Sequence, residues 1–207
     1  MNGELRIPLR LIESALKEKN IKQLRLFASA KLEGHRIEIK ILLKSLKIHF
    51  KTGGRLIKKL INDGWAGTDK KYLFPRAWKK LKFYKRGGLY IIRAPKDLKK
   101  FEALCFAIAL KNLYRKLGSR HSNNRRIEQK DFPARYLSKL LGLSERRFER
   151  LKAQAQKYRF ISVIPQFRII GKAIEYQAIK KNLSGLPIFK RGKHTVSPDI
   201  SKTTFLF

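Results

Sequence analysis

Residues Leu137-Ser-Lys-Leu-Leu-Gly-Leu-Ser-Glu-Arg-Arg-Phe-Glu-Arg-Leu151, running on to Phe160-Ile161, decide how this chain is read. They spell one helix, a tight turn at Gly142-Leu143-Ser144, and a second helix. Glycine suits the left-handed backbone that ends a helix, because it has no Cβ to clash. Serine at position 144 can cap the next helix by accepting a hydrogen bond from one of its first free N–H groups. Leu137, Leu140, Leu141, Leu143, Phe148 and Leu151 recur at the spacing that turns one face of each helix toward a common core. Arg146, Arg147 and Arg150 are then expected to point outward.

Ninety-five positions earlier the pattern recurs, without gaps from Leu42 to Trp65. Leu42 aligns with Leu137, Leu46 with Leu141, Ile48 with Leu143, Arg55 with Arg150, Leu56 with Leu151 and Trp65 with Phe160. This first copy predicts helices over about Ile37–Leu46 and Thr52–Asp63. It departs from the second at Gly53, which stands where Phe148 stands, and Gly54 follows. Two glycines near a helix start cost about 1 kcal/mol each relative to alanine. They imply either close approach to a phosphate or another protein surface, or a loosely packed helix start. Base reading is therefore expected from the second copy, and phosphate contact or dimerisation from the first.

Strand-like sequence follows both copies. Ala66–Phe74 reads as two short strands about a Gly-Thr-Asp turn. Ile161–Ile170, the turn Gly171-Lys172 and Ala173–Ile179 read as a half-buried hairpin, because apolar and polar residues alternate. Lys70, Lys71 and Lys172 are expected at the hairpin tips. An amphipathic helix precedes each copy, at about Ile21–Leu32 and Leu98–Leu117. Between the copies, Phe74–Leu81 carries Trp78 on a short helix, Lys85-Arg86-Gly87-Gly88 is a turn, and Leu89–Ile92 is a strand. Gly118–Asp131 reads as a basic loop.

Helix, helix pair and hairpin in this order resemble the winged-helix family of DNA-binding proteins. The resemblance implies a mainly α fold with small β-hairpin wings (α+β), as two winged helix-turn-helix domains in tandem. The expected divisions are 1–82 for the first domain, 83–97 for a structured linker, 98–181 for the second domain and 182–207 for a basic, mobile tail. The tail ends in Phe205-Leu206-Phe207, which is expected either to fold back on the domain or to dock on a partner, with fold-back placed first.

Charge points the same way. The chain carries 50 Lys and Arg against 15 Asp and Glu, a net +35 over 207 residues. Such self-repulsion is relieved by a polyanion, and nucleic acid comes before an acidic membrane surface. No run approaches the roughly 20 apolar residues of a membrane span, and the start Met-Asn-Gly-Glu-Leu-Arg lacks signal-peptide order. An intracellular, cytoplasmic and nucleoid-associated protein is expected.

Enzyme chemistry is not expected. The sequence has no Gly-rich phosphate loop ending in Gly-Lys-Ser/Thr, and its carboxylates are scattered. His35, His49, His121 and His194 lie far apart, and the single cysteine, Cys105, sits in the apolar run Ala103–Leu110. Metal, cofactor and small-molecule ligand are all expected to be absent. Tyr136 and Tyr158 flank the helix pair and are expected to pack against it.

What the resemblance implies is a sequence-specific binder of double-stranded DNA. Its architecture is similar to that of plasmid replication initiators, in which two winged-helix domains grip repeated origin sites and the first often dimerises. A transcription regulator of a phage or other mobile element has the same parts. The alternative is an RNA-binding or non-specific architectural protein. In the second copy, Ser144, Glu145, Arg146, Glu149, Arg150 and Gln154 are the candidates to read bases, since Arg pairs with guanine and Glu accepts from cytosine. Arg147, Lys152 and Lys172 are candidates for phosphate contact, with Arg125 and Arg126 on the basic loop. In the first copy the candidates are Lys51, Thr52, Arg55, Lys58, Lys59, Lys70 and Lys71. A homodimer through the first domain is the second expected partner.

Overall fold

Helix α5 (Leu98–His121) is apolar on every side between Ala103 and Leu110, and all eight of those residues are buried. A helix of that kind needs neighbours all round. The computed structural model, which describes residues 5–77, 81, 89–92, 97–121, 132–182 and 188–206, supplies them from both halves of the chain. Helix α5 packs against α1 (Leu9–Lys17), α2 (Ile21–Glu33) and α7 (Glu145–Lys157). The architecture is mainly α with small antiparallel sheets.

Two helix pairs flank this centre, and their boundaries repeat. In the first, α3 (Ile39–Ser45) is followed by α4 (Phe50–Asn62); in the second, α6 (Ala134–Leu141) is followed by α7. Moving Ile39 by 95 positions gives Ala134, and the same step takes Phe50 to Glu145 and Asn62 to Lys157. The special backbone positions coincide as well. Lys47 and Gly142 both adopt the left-handed conformation, at φ of 53° and 65°, and so do Gly64 and Arg159, at 70° and 57°. Each turn closes with equivalent bonds: the Ile48 N–H donates to the Leu43 carbonyl and the Leu143 N–H to the Ser138 carbonyl, both at 2.9 Å.

The cores differ where the sequences differ. Phe148 buries its ring edge-on against Phe106 of α5, with centroids 5.3 Å apart. Gly53, its counterpart, lies so close to Leu43 of α3 that an added Cβ would fall 2.4 Å from the leucine side chain. Neither expected reading of Gly53 holds, because it is a tight helix–helix contact inside the first pair. Gly54 faces open space. Leu140, expected in the core, is exposed.

Around α4 the chain forms a three-stranded sheet of β2 (Ile37–Glu38), β4 (Tyr72–Pro75) and β3 (Ala66–Asp69), in that spatial order. Ile37 and Glu38 were expected to be helical. They pair instead with Leu73 and Tyr72, so the β-branched residue before the helix is taken up by a strand. The tip of the β3–β4 hairpin is Lys70-Lys71, while Gly67, Thr68 and Asp69 lie within β3. The Leu89–Ile92 segment is strand β5, as expected, and its partner is β1 (Leu5–Pro8). Phe74 and Pro75 belong to β4, whereas Trp78 and the 85–88 turn lie outside the described residues.

The second half departs from expectation after Ile161. Strand β6 (Ile161–Lys172) is long, but Ala173–Ile179 is no returning strand. The Lys172 N–H donates to the Glu175 carboxylate at 3.0 Å, which starts a 3-10 turn at Ala173–Glu175 that continues as α8 (Tyr176–Asn182). The returning strand is β8 (His194–Phe205), reached through β7 (Phe189–Arg191). Residues 194–205 of the expected mobile tail are therefore ordered along β6, from Lys172↔His194 to Ile161↔Phe205. Phe205 folds back, its ring edge-on to Tyr114 at 5.7 Å. The expected loop at Gly118–Asp131 begins later, because α5 continues to His121; residues 122–131 lie outside those described.

One connected core runs through both halves, from Ile7 and Leu24 through Phe101 and Phe106 to Phe148 and Ile161. Among the described residues no helix is long and apolar enough to cross a membrane.

Candidate nucleic-acid interface

Helix α7 is set by its cap and by three buried side chains. The Ser144 hydroxyl accepts from the Arg147 N–H at 3.4 Å, and Phe148, Leu151 and Ala155 fix the inward face. Arg146, Glu149, Arg150, Gln156 and Lys157 are left exposed. Glu145 is exposed too, 3.6 Å from Arg135. At the first position of the helix its carboxylate also meets the positive end of the helix dipole.

Arg147 does not point outward. Its Nη1 donates to the Leu16 carbonyl at 2.6 Å and its Nη2 to Glu102 Oε1 at 3.3 Å, tying α7 to the end of α1 and to α5. Arg150 reaches the same carboxylate at 3.8 Å while staying mostly exposed. Gln154 is half-buried, with its Oε1 enclosed and unpartnered, so it faces the body of the protein and not a groove of DNA. Lys152 is also half-buried. The expected set on α7 thus divides into outward Glu145, Arg146, Glu149 and Arg150, and inward Arg147 and Gln154.

In the first half Lys51, Thr52, Arg55, Lys58 and Lys59 are exposed along α4. Lys59 donates to the Asn20 side-chain oxygen at 2.6 Å, linking α4 to the start of α2. Lys70 and Lys71 occupy the exposed hairpin tip. Beside them Arg36, which the sequence did not single out, stacks 3.9 Å over the Tyr72 ring. Lys172 is exposed but stands at the far end of β6, roughly 36 Å of strand from Ile161 at the usual rise per residue. Its carbonyl accepts from Thr195 Oγ1 at 2.8 Å. Arg125 and Arg126 lie outside the described residues.

The helix starts converge. A cleft of about 800 Å³ is lined by Lys19, Lys22, Arg146, Arg147 and Arg150 against the single carboxylate Glu102. The first residue of α2 (Ile21), the first of α5 (Leu98) and the cap of α7 (Ser144) also line it. A second cleft, of about 600 Å³, shares Lys22 and Leu98 with the first and adds the start of α4 through His49 and Thr52. The starts of α4 and α7 therefore lie on one face of the protein.

No protein-family model, curated protein or solved structure matches this chain.

Free N–H groups at a helix start, with the dipole behind them, favour anions, and so do clustered Lys and Arg. Lys19 and Lys22 belong to this face although neither helix pair contains them. Their signal was the basic run at the start of α2, Lys19-Asn-Ile-Lys22. Among the described residues no group of His, Cys, Asp and Glu is placed to hold a metal ion. Cys105 is fully buried, and desolvation pushes its thiol pKa far up, leaving it a small hydrophobe. Tyr136 is exposed with its ring 5.8 Å from Phe132, and Tyr158 is half-buried 6.4 Å from Phe160.

Proposed function

We propose that this chain is a sequence-specific double-stranded DNA-binding protein built of two winged helix-turn-helix units in tandem. The first unit has the order helix, strand, helix, helix, hairpin, with strand order β2-β4-β3, which supports the winged-helix reading. In the second unit the wing is the long β6–β8 pair with the α8 and β7 excursion at its far end. The observation that carries the function is the shared face: two repeated helices, α4 and α7, start at adjoining basic clefts. A recognition helix enters the major groove near its N-terminal end while neighbouring helix starts grip phosphates.

On this reading Arg146, Glu149 and Arg150 meet base edges. Lys51, Arg55, Lys58, Lys19 and Lys22 neutralise phosphates, releasing counterions. The biological role proposed is replication initiation or transcription regulation for a plasmid, phage or other mobile element, in the nucleoid. Dimerisation through the first unit is proposed with it, on the exposed Ile41 and Phe50; sedimentation of Phe50→Glu beside the parent chain checks it.

Competition between duplex DNA, single-stranded DNA and duplex RNA at near-physiological salt tests the polymer. Preference for duplex DNA is expected; preference for RNA overturns the reading. For base reading, Arg146→Ala is expected to reduce discrimination at one base pair by about 1–3 kcal/mol. Lys58→Ala is expected to weaken all sequences alike and to lower the salt slope by about 1. Equal losses on specific and random duplex for both variants would contradict this division.

A further inference from the structure

Arg25, on α2, is only 5% exposed. Its Nη2 donates to the Leu46 carbonyl at 3.3 Å, but its Nε is buried with no acceptor. No carboxylate among the described residues lies within ion-pair reach of it. Burial pulls its pKa down, opposed by the field of Asp97. If Arg25 served only to hold the α3–α4 turn through Leu46, a neutral donor would do so without desolvating a charge. A guanidinium this buried, with no carboxylate partner and lining a cleft, favours an anion in that cleft.

The surroundings fit one. Arg25 lines the 600 Å³ cleft together with Lys22 and Lys47, against Asp97 as the single carboxylate. The start of α4 opens into the same space. The first bond within that helix runs from the Gly53 N–H to the His49 carbonyl at 2.9 Å. The N–H groups of Phe50, Lys51 and Thr52 precede it, and His49 makes no side-chain cap. By contrast, α7 has its serine cap.

We infer that this cleft seats one phosphate group, held by Arg25, Lys22, Lys47 and the free N–H groups that begin α4. The occupant assigned is a backbone phosphate of the duplex, so the inference rests on the DNA-binding reading and deepens it. A free phosphate-bearing compound would meet the same chemistry, and the experiment separates the two sources.

The test has two arms on the full chain. In the first, without DNA, inorganic phosphate is titrated at constant ionic strength balanced with chloride, and the Thr52 amide resonance is followed. A saturable shift is expected for the parent chain, weakened about tenfold in Arg25→Gln. In the second, duplexes carrying a single neutral methylphosphonate linkage are scanned. One linkage is expected to cost the parent chain about tenfold in affinity and to cost Arg25→Gln nothing further.

Loss in both arms assigns the site to a backbone phosphate. A response in the first arm alone assigns it to a free phosphate compound. No Thr52 shift and no linkage whose effect depends on Arg25, in variants with parental circular dichroism, overturns the site. Affinity for unmodified duplex, read in the same assay, reports on the DNA-binding proposal separately. Lys22 and Lys47 are exposed, so the Lys22→Gln, Lys47→Gln double variant carries both arms if Arg25→Gln does not fold.

Discussion

Gly53 and Gly54 stand side by side in α4 and should respond oppositely to a methyl group. At Gly53 the new Cβ meets Leu43, and forcing the two helices apart is expected to cost about 1–3 kcal/mol. At Gly54 nothing lies within 4 Å, and alanine should stabilise the helix by roughly 1 kcal/mol. Urea unfolding of the two single variants checks both signs, and stabilisation by Gly53→Ala would remove the close packing assigned to it. The neighbouring arginines of α7 divide in the same way. Arg147→Ala leaves the Leu16 carbonyl without its donor and Glu102 with Arg150 alone, and should lower stability by about 2 kcal/mol. Arg146→Ala should change stability by less than about 0.5 kcal/mol, as an exposed substitution does, while reducing base discrimination. Their adjacent letters in the sequence do not distinguish them. Only the approach of α1 and α5, brought in from far along the chain, turns one inward.

At the scale of elements, β8 is the most consequential strand. It pairs along nearly the whole of β6 and returns Phe205 to Tyr114 at the base of the second helix pair. Truncation after Asn182 should therefore expose the β6 edge, abolish amide protection over 161–172 and lower Tm; a truncated chain with parental Tm and protection would mean that β8 adds nothing. The helix pairs were legible in sequence because every cue was local. Gly142 and Ser144 mark the turn, and the apolar spacing marks the inward faces. Register at a shift of 95 then carried the reading to α3 and α4. Helix α1 bears the same kind of signal in Leu9, Ile12 and Leu16, which are buried, but no turn or cap residue marks it off in the sequence as Gly142 and Ser144 mark the second pair. The segment after β6 departs from expectation because alternation in Ala173–Ile179 is also compatible with a helix, and the Glu175 carboxylate on the Lys172 N–H decides between them. Ile37–Glu38 was misread because its pairing partner, β4, lies more than thirty residues away. Of the candidate site, α4 and the outward face of α7 followed from periodicity. The clefts joining them did not, because they are made by α2 and α5 meeting both helix starts.

For the whole molecule, the single connected core and the net charge of +35 pull in opposite directions. Mutual repulsion of 50 cations weakens the compact state and is screened by salt. Tm should rise on going from low to moderate salt, and rise further with duplex DNA, since a ligand that binds only the folded chain adds about 2.7 kcal/mol at a hundredfold excess over Kd. A Tm indifferent to both would argue against a polyanion partner. The central claim is that the face bearing α7 reads sequence and does not merely attract charge. Selection from a randomised duplex library at near-physiological salt, run in parallel on the parent chain and the Arg146→Ala, Glu149→Ala double variant, tests it most directly. The parent chain is expected to enrich a defined motif that the variant loses while still binding duplex. Tight binding by the parent chain with no enriched motif would contradict the claim.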